Sequence, residues 1–190
     1  MIYRIFALIC LAVFYGIYLL KMLRQRRRGI KTDQLGVGDK DSNVMTVELV
    51  LKVATYSVAA VELLSIIFGN PKIYGEIRVA GAFCCLVGIG FFYAAVKTMG
   101  RSWRAGISDD KTKLITTGVF RISRNPAFLG FDLLYLGILL MFFNFFLLVF
   151  TLFAGVMLHL QILNEEKFLE ERFGETYLKY KEKTGRYFSA

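Results

Sequence analysis

Apolar and polar positions fall into long separate blocks along this chain. Five apolar blocks cover residues 5–23, 46–68, 77–96, 127–143 and 145–163. About 20 apolar residues in a helix cross a bilayer core, so each block predicts a spanning helix. Only Asn144 divides the last two blocks. One helix through both would overshoot any bilayer, so they predict a tight helical hairpin turned near Asn144. Gly69-Asn70-Pro71-Lys72 is a turn signal closing the second block. Ala80, Cys84 and Gly88 recur every fourth residue in the third. Such a ridge of small side chains predicts close helix approach. Residues 97–125 form the longest polar segment, and residues 164–190 a charged, aromatic tail. In the tail, Leu169, Phe173, Tyr177 and Tyr180 trace one helix face, and Lys167–Glu171 and Glu175–Lys179 have i,i+4 spacing. The predicted fold is an all-α integral membrane protein of about five transmembrane helices. The last two form a hairpin, and a cytoplasmic amphipathic tail helix follows. A three-span region over residues 1–98 precedes a catalytic region over residues 99–190.

Composition agrees. Hydrophobic residues make up 56% of the 190, above the ~45–50% of soluble chains. The net charge of +9 would suggest nucleic acid in a soluble protein, but here topology accounts for it. With the N-terminus outside, the inside segments are 24–43, 97–125 and 164–190. They hold six, seven and six Lys or Arg, 19 of the 24 in the chain. That satisfies the positive-inside rule and argues against a nucleic-acid partner. Arg24, Arg26, Arg27 and Arg28 follow the first block with no small-x-small cleavage site. The block therefore reads as an uncleaved anchor rather than a signal peptide, and the basic run as a topology signal touching anionic lipid. Trp103 reads as an interfacial anchor. Cys10, Cys84 and Cys85 lie in apolar runs without metal-ligand spacing, and His159 is the only histidine, so no metal site is expected.

Chemistry is expected where polar residues meet the hairpin. A hairpin brings Arg124 next to Glu165 and Glu166 across about 40 residues of sequence. Asn125 at an N-cap and Pro126 at N1 start a helix by themselves. Arg124 is not explained that way, because a guanidinium beside a helix N-terminus opposes the dipole. An anion bound there would reconcile the two. A solvated charge run explains most of the tail, but Glu165 lies close to lipid at a helix C-terminus, where a carboxylate is disfavoured. Together these groups complement a ligand carrying both signs. S-adenosylmethionine fits, as do other zwitterions.

The same residues carry a resemblance. Met99-Gly100-Arg101-Ser102-Trp103-Arg104, Leu114 to Phe120 and Arg124-Asn125-Pro126-Ala127-Phe128-Leu129-Gly130 come first. Glu165-Glu166, Leu169, Phe173-Gly174, Tyr177, Tyr180 and Arg186 follow. In this order, around a two-span hairpin, they resemble the isoprenylcysteine carboxyl methyltransferases, in a bacterial-type form, and more loosely the phospholipid N-methyltransferases. Asn125 and Phe128 stand where that family commonly has His and Tyr. His159, Gln161 and Asn164 occupy the region where some members carry an Arg. The resemblance implies a cofactor pocket for S-adenosyl-L-methionine from Gly118, Arg124, Asn125, Pro126, Phe128, Glu165, Glu166 and Tyr177, with Arg124 and Glu166 as the catalytic residues. It implies substrate-side roles for Asp132, His159, Gln161 and Arg186. The expected activity is methyl transfer to a lipophilic or prenylated acceptor at the cytoplasmic face of a bacterial inner membrane, foremost carboxyl O-methylation of an isoprenoid. A carboxylate acceptor needs no general base. An amine or phenol needs one, and Glu165, Glu166 or His159 would serve. An NADPH-dependent reductase resembling the sterol reductases and a non-catalytic scaffold are the competing readings. Asp132 and Glu62 are ionisable residues inside apolar blocks, where function is the default expectation.

Overall fold

The computed structural model describes residues 1–69, 73–108 and 113–188. The expected turn at Asn70-Pro71-Lys72 lies outside them. The described residues are helical, with no strand. The helices are α1 (Ile2–Arg26), α2 (Ser42–Phe68), α3 (Gly75–Met99), α4 (Pro126–Phe142), α5 (Phe145–Phe173) and α6 (Glu175–Lys183). Short 3-10 turns at Gly100–Ser102 and Gly118–Arg121 precede α4. Helices α1, α2, α3 and α5 are each long and apolar enough to cross a membrane. α4 has 17 residues, about 25 Å of helix, slightly under a full hydrocarbon thickness. The chain is an integral membrane protein.

The hairpin forms as the Asn144 break predicts. Asn144 caps α5 by accepting from Leu147 N at 2.9 Å, and its Nδ2 donates to Ser65 Oγ on α2 at 2.8 Å. One residue thus ends α4, starts α5 and ties the turn to α2. Pro126 stands at N1 of α4, but Asn125 does not cap the helix with its side chain. That amide is engaged elsewhere.

α3 packs against α4 along most of its length, and α2 against α5. The small-residue ridge of α3 is Gly81, Cys85 and Gly88 rather than the expected one, because Ala80 is exposed and Cys84 only half-buried. A one-residue shift turns the helix by ~100°, which moves the contact stripe to the next row. Gly81 meets Gly137 and Gly88 meets Gly130. A Cβ on Gly81 would lie 2.6 Å from the Gly137 carbonyl, and one on Gly88 would lie 2.8 Å from that of Gly130. Two glycine pairs seven residues apart on each helix let the backbones touch. Phe14 of α1 stacks on Phe92 of α3 at 4.3 Å between centroids. Trp103 packs edge-on against Phe92 and is 5% exposed. It is therefore a core residue and not the expected interfacial anchor.

The tail divides at Gly174, whose φ of +51° is a backbone conformation that favours glycine and ends the helix. α5 runs unbroken through Glu165 and Glu166 to Phe173, and α6 follows. The expected apolar tail face is shared between the two. Tyr177 and Tyr180 pack with Phe120 and Ala95, and Leu169 and Phe173 join them. The pairs Lys167–Glu171 and Glu175–Lys179 are exposed at 3.9 and 3.8 Å, and such pairs add little.

Gly88→Leu and Gly137→Val should each lower the thermal midpoint of the purified protein, by a loss of about 1–3 kcal/mol. Gly90→Ala, with no heavy atom within 4 Å of the added carbon, should leave it unchanged. Equal midpoints for all three would rule out the close crossing.

Candidate functional site

The hairpin brings its two ends together, and the carboxylate it delivers to Arg124 is Glu166. Glu166 Oε1 accepts from Arg124 Nε and Nη2 at 3.3 and 3.0 Å and from Asn125 Nδ2 at 2.9 Å. Its Oε2 accepts from Arg186 Nε and Nη2 at 3.1 and 3.0 Å. The side chains of Arg124 and Glu166 are almost wholly buried. Two guanidinium groups close on one carboxylate, each gripping a single oxygen through its Nε and Nη2, and such charge-assisted hydrogen bonds are the strong ones. The ion pair raises the pKa of Arg186 further above its ordinary value. The anion that Arg124 meets at the start of α4 is therefore the chain's own Glu166.

The same residues strap down the C-terminal segment. Arg124 Nη1 donates to the carbonyls of Lys181 and Thr184 at 3.1 and 2.7 Å, and its backbone N–H donates to that of Gly185 at 3.0 Å. Ser123 Oγ donates to the Arg186 carbonyl at 3.1 Å, and Asn125 Nδ2 reaches the same carbonyl at 3.3 Å. Tyr177 is buried beneath this network. Burial first, and then the Glu166 charge, push its hydroxyl up to about 12, so the phenol is neutral.

Glu165 points elsewhere, as adjacent residues on a helix must. It accepts from Gln161 Nε2 at 3.1 Å. Gln161 is fully buried, and its Oε1 has no hydrogen-bond partner; the Asn164 Nδ2 is buried and unpartnered as well. One free acceptor thus lies on Gln161, a turn before Glu165, and one free donor on Asn164, the residue preceding it. Buried polar atoms without partners are costly, and a ligand carrying both donors and acceptors would satisfy them. Toward α2, Glu48 holds two polar loops together. Its carboxylate accepts from Gly36 N at 2.8 Å, Ile107 N at 2.9 Å and Lys40 Nζ at 2.5 Å. Those loops also pair directly, with Gln34 N on the Ala105 carbonyl at 2.8 Å. Gln25 links them further, donating to the Trp103 carbonyl at 3.1 Å.

A groove of about 430 Å³ opens between α4 and α5. Asp132, Tyr135, Thr151, Gly155, His159 and Tyr187 form its polar side, and Leu152, Val156 and Leu160 its apolar rim. His159 Nδ1 lies 2.7 Å from the Tyr187 hydroxyl. Arg186 and Tyr187 are neighbours, so the C-terminal strap touches Glu166 and this groove at once.

The expected site residues therefore sort into groups. Arg124, Asn125, Glu166 and Arg186 form one network, beside Pro126 and Tyr177. Glu165 and Gln161 form a second. Asp132 and His159 share the groove. Phe128 packs with the apolar core between α2 and α5, and Gly118 sits against Thr98. Glu48, Ser123 and Tyr187 were not anticipated. A buried Glu in the second apolar block was a readable signal. Ser123 and Tyr187 carried none.

The phospholipid methyltransferase family matches this chain over residues 77–176. Two plant proteins, from Oryza sativa subsp. indica and subsp. japonica, are similar to it, each 32% identical over 123 residues. Both are named "Probable protein-S-isoprenylcysteine O-methyltransferase". The match covers 63% of this chain and 64% of each relative, just under two thirds of their length.

Glu166→Ala removes one partner from a buried pair, which typically costs about 3–5 kcal/mol. The variant should unfold at lower temperature and lose its C-terminal segment to limited proteolysis. Arg186→Ala, with the more exposed arginine, should do so less. Protection of residues 181–188 equal to wild type in Glu166→Ala would exclude the strap.

Proposed function

The chain belongs to the phospholipid methyltransferase family, and from that premise we propose that it is an S-adenosylmethionine-dependent methyltransferase acting on a lipophilic acceptor. The observation that carries this reading is the face of α5 around Glu165. Gln161, whose Oε1 is free, bonds the Glu165 carboxylate there, and the preceding residue Asn164 has a free Nδ2. An aminoacyl nucleoside with an ammonium, a carboxylate and an adenine amine carries the complementary donors and acceptors. When bound, such a cofactor supplies an electrophilic methyl on a sulfonium. Glu165 would hold its cationic end. Gln161 and Asn164 would orient its polar groups. The two loops clasped by Glu48 would exclude water above it. In this role Arg124, Asn125 and Glu166 are positioning residues that fix the start of α4 and the strap.

The reading places α4 as a fifth crossing, and places the loops and tail on the cytoplasmic side. The middle basic segment touches each of the other two, which supports a common side. Asp33 and Ala105 form a bridge, and Arg172 Nη1 donates to the Ser108 carbonyl at 3.1 Å. A lateral opening to lipid between spans would give the acceptor its own entrance, apart from the cofactor's cytosolic route. Separate entrances suit an in-line transfer between a polar and a lipophilic reactant.

S-adenosylhomocysteine should raise the thermal midpoint of the purified protein, and NADPH should not. Glu165→Ala and Gln161→Ala should weaken S-adenosylhomocysteine binding at least tenfold, about 1.4 kcal/mol, without lowering the ligand-free midpoint to that of Glu166→Ala. Stabilisation by NADPH alone, or wild-type affinity in both variants, would overturn the assignment.

A further inference from the structure

We propose that Lys40 is a specificity-determining residue, and that its ammonium recognises the α-carboxylate of the cofactor whose own ammonium Glu165 holds. The inference rests on the methyltransferase reading and deepens it by naming the group that receives the amino-acid end of that cofactor. Lys40 lies outside the residues 77–176 that match the family.

Helix register brings Lys40 to the site. α2 and α5 pack antiparallel, with Leu51, Ala54 and Val58 against Ala154, Met157 and Leu158. The Ser65–Asn144 hydrogen bond pins one end of that pairing. Glu48 lies 17 residues before Ser65, and Gln161 lies 17 residues after Asn144. Each interval is about 25 Å of helix. Glu48 and Gln161 therefore stand level, and both are wholly buried. Lys40 folds back from the loop before α2 onto Glu48 at 2.5 Å, and its own side chain is 9% exposed. The charges of Glu48 and Lys40 both act on the Glu165 carboxylate. Lys40 pairs with Glu48, however, and Glu165 bonds Gln161.

The open hydrogen-bonding positions at this level suit an α-amino acid. Lys40 Nζ donates to the Gln34 carbonyl at 2.7 Å and to Glu48 Oε2. An ammonium has three donors, so one remains. Glu165 Oε1 accepts from Gln161, and Oε2 accepts no hydrogen bond among the described residues. Gln161 Oε1 is a free acceptor and Asn164 Nδ2 a free donor. Glu165 Oε2 and Gln161 Oε1 complement an ammonium. Asn164 Nδ2 and the third Lys40 N–H complement a carboxylate. Bonds to ionised groups are the strong ones. Arg124 and Arg186 hold Glu166, whereas Lys40 is the basic residue whose charge reaches Glu165.

The test titrates the full chain in detergent, by calorimetry, with two ligands. One is S-adenosylhomocysteine. The other is its decarboxylated analogue, which keeps the ammonium and has hydrogen in place of the α-carboxylate. The wild-type chain should bind S-adenosylhomocysteine at least tenfold more tightly than the analogue. Lys40→Met should erase that preference by weakening S-adenosylhomocysteine alone. Lys40→Arg, which keeps the charge, should retain it. Glu165→Gln should weaken both ligands, since both carry the ammonium. Lys40→Gln can still donate to Glu48 and to the Gln34 carbonyl, and is the neutral variant to use if Lys40→Met lowers the thermal midpoint. No preference in the wild-type chain, or an unchanged preference in the neutral variants, would overturn the proposal. Equal weakening of both ligands in the neutral variants would overturn it too, because it marks a loop-closing role alone. With S-adenosylhomocysteine bound by the wild-type chain, each of those leaves the methyltransferase assignment standing. Absence of that binding would overturn both.

Discussion

The Glu166 carboxylate is the constraint on which the loop-and-tail end of the bundle depends. It is almost wholly buried, and an unpaired charge there would be untenable. Two guanidinium forks and an amide neutralise it. Those three donors come from the start of α4 and from the C-terminal segment. Satisfying one buried charge therefore joins α5, the entry to α4 and the strap into one unit. Four of the five side-chain N–H donors of Arg124 are taken, two by Glu166 and two by the Lys181 and Thr184 carbonyls. The network holds the neighbouring surfaces in place, and the unsatisfied polar atoms lie beside it.

From that fixed point α5 presents different chemistry on each face. Glu166 faces the ion pairs, and Glu165 with Gln161 faces the loops clasped by Glu48. His159, two turns earlier on the Glu166 side, faces the groove. A rigid helix keeps these separations constant. The glycine pairs between α3 and α4 serve the same end from below. They let α4 lie against α3 backbone to backbone, so the Arg124–Asn125 entrance cannot drift relative to the rest.

Sequence reasoning reached the elements and the neighbourhood but not the pairings. The hairpin at Asn144 was legible because one polar residue divided two spans. The meeting of Arg124 with the Glu165-Glu166 pair followed from that hairpin alone. Which of the two carboxylates turned inward was not legible, since it depends on a helix rotation that one residue changes by ~100°. The same ambiguity moved the α3 ridge from Ala80, Cys84 and Gly88 to Gly81, Cys85 and Gly88. Asn125 looked like a cap by residue type. Its amide instead donates to Glu166, where a buried charge competes for it more strongly than an exposed backbone N–H.

By itself the sequence determined the membrane class, the apolar helices, the break at Asn144 and the clustering of positive charge in three segments. These follow from local hydropathy and residue type, which need no knowledge of neighbours. The tertiary structure alone decided that Glu166 would be consumed in an internal network, leaving Gln161 and Asn164 with unmet hydrogen-bonding capacity. It also decided that Tyr187, from the far end of the chain, would lie on His159. Those outcomes depend on helix rotation and on contacts between residues distant in sequence, and composition and spacing leave both open.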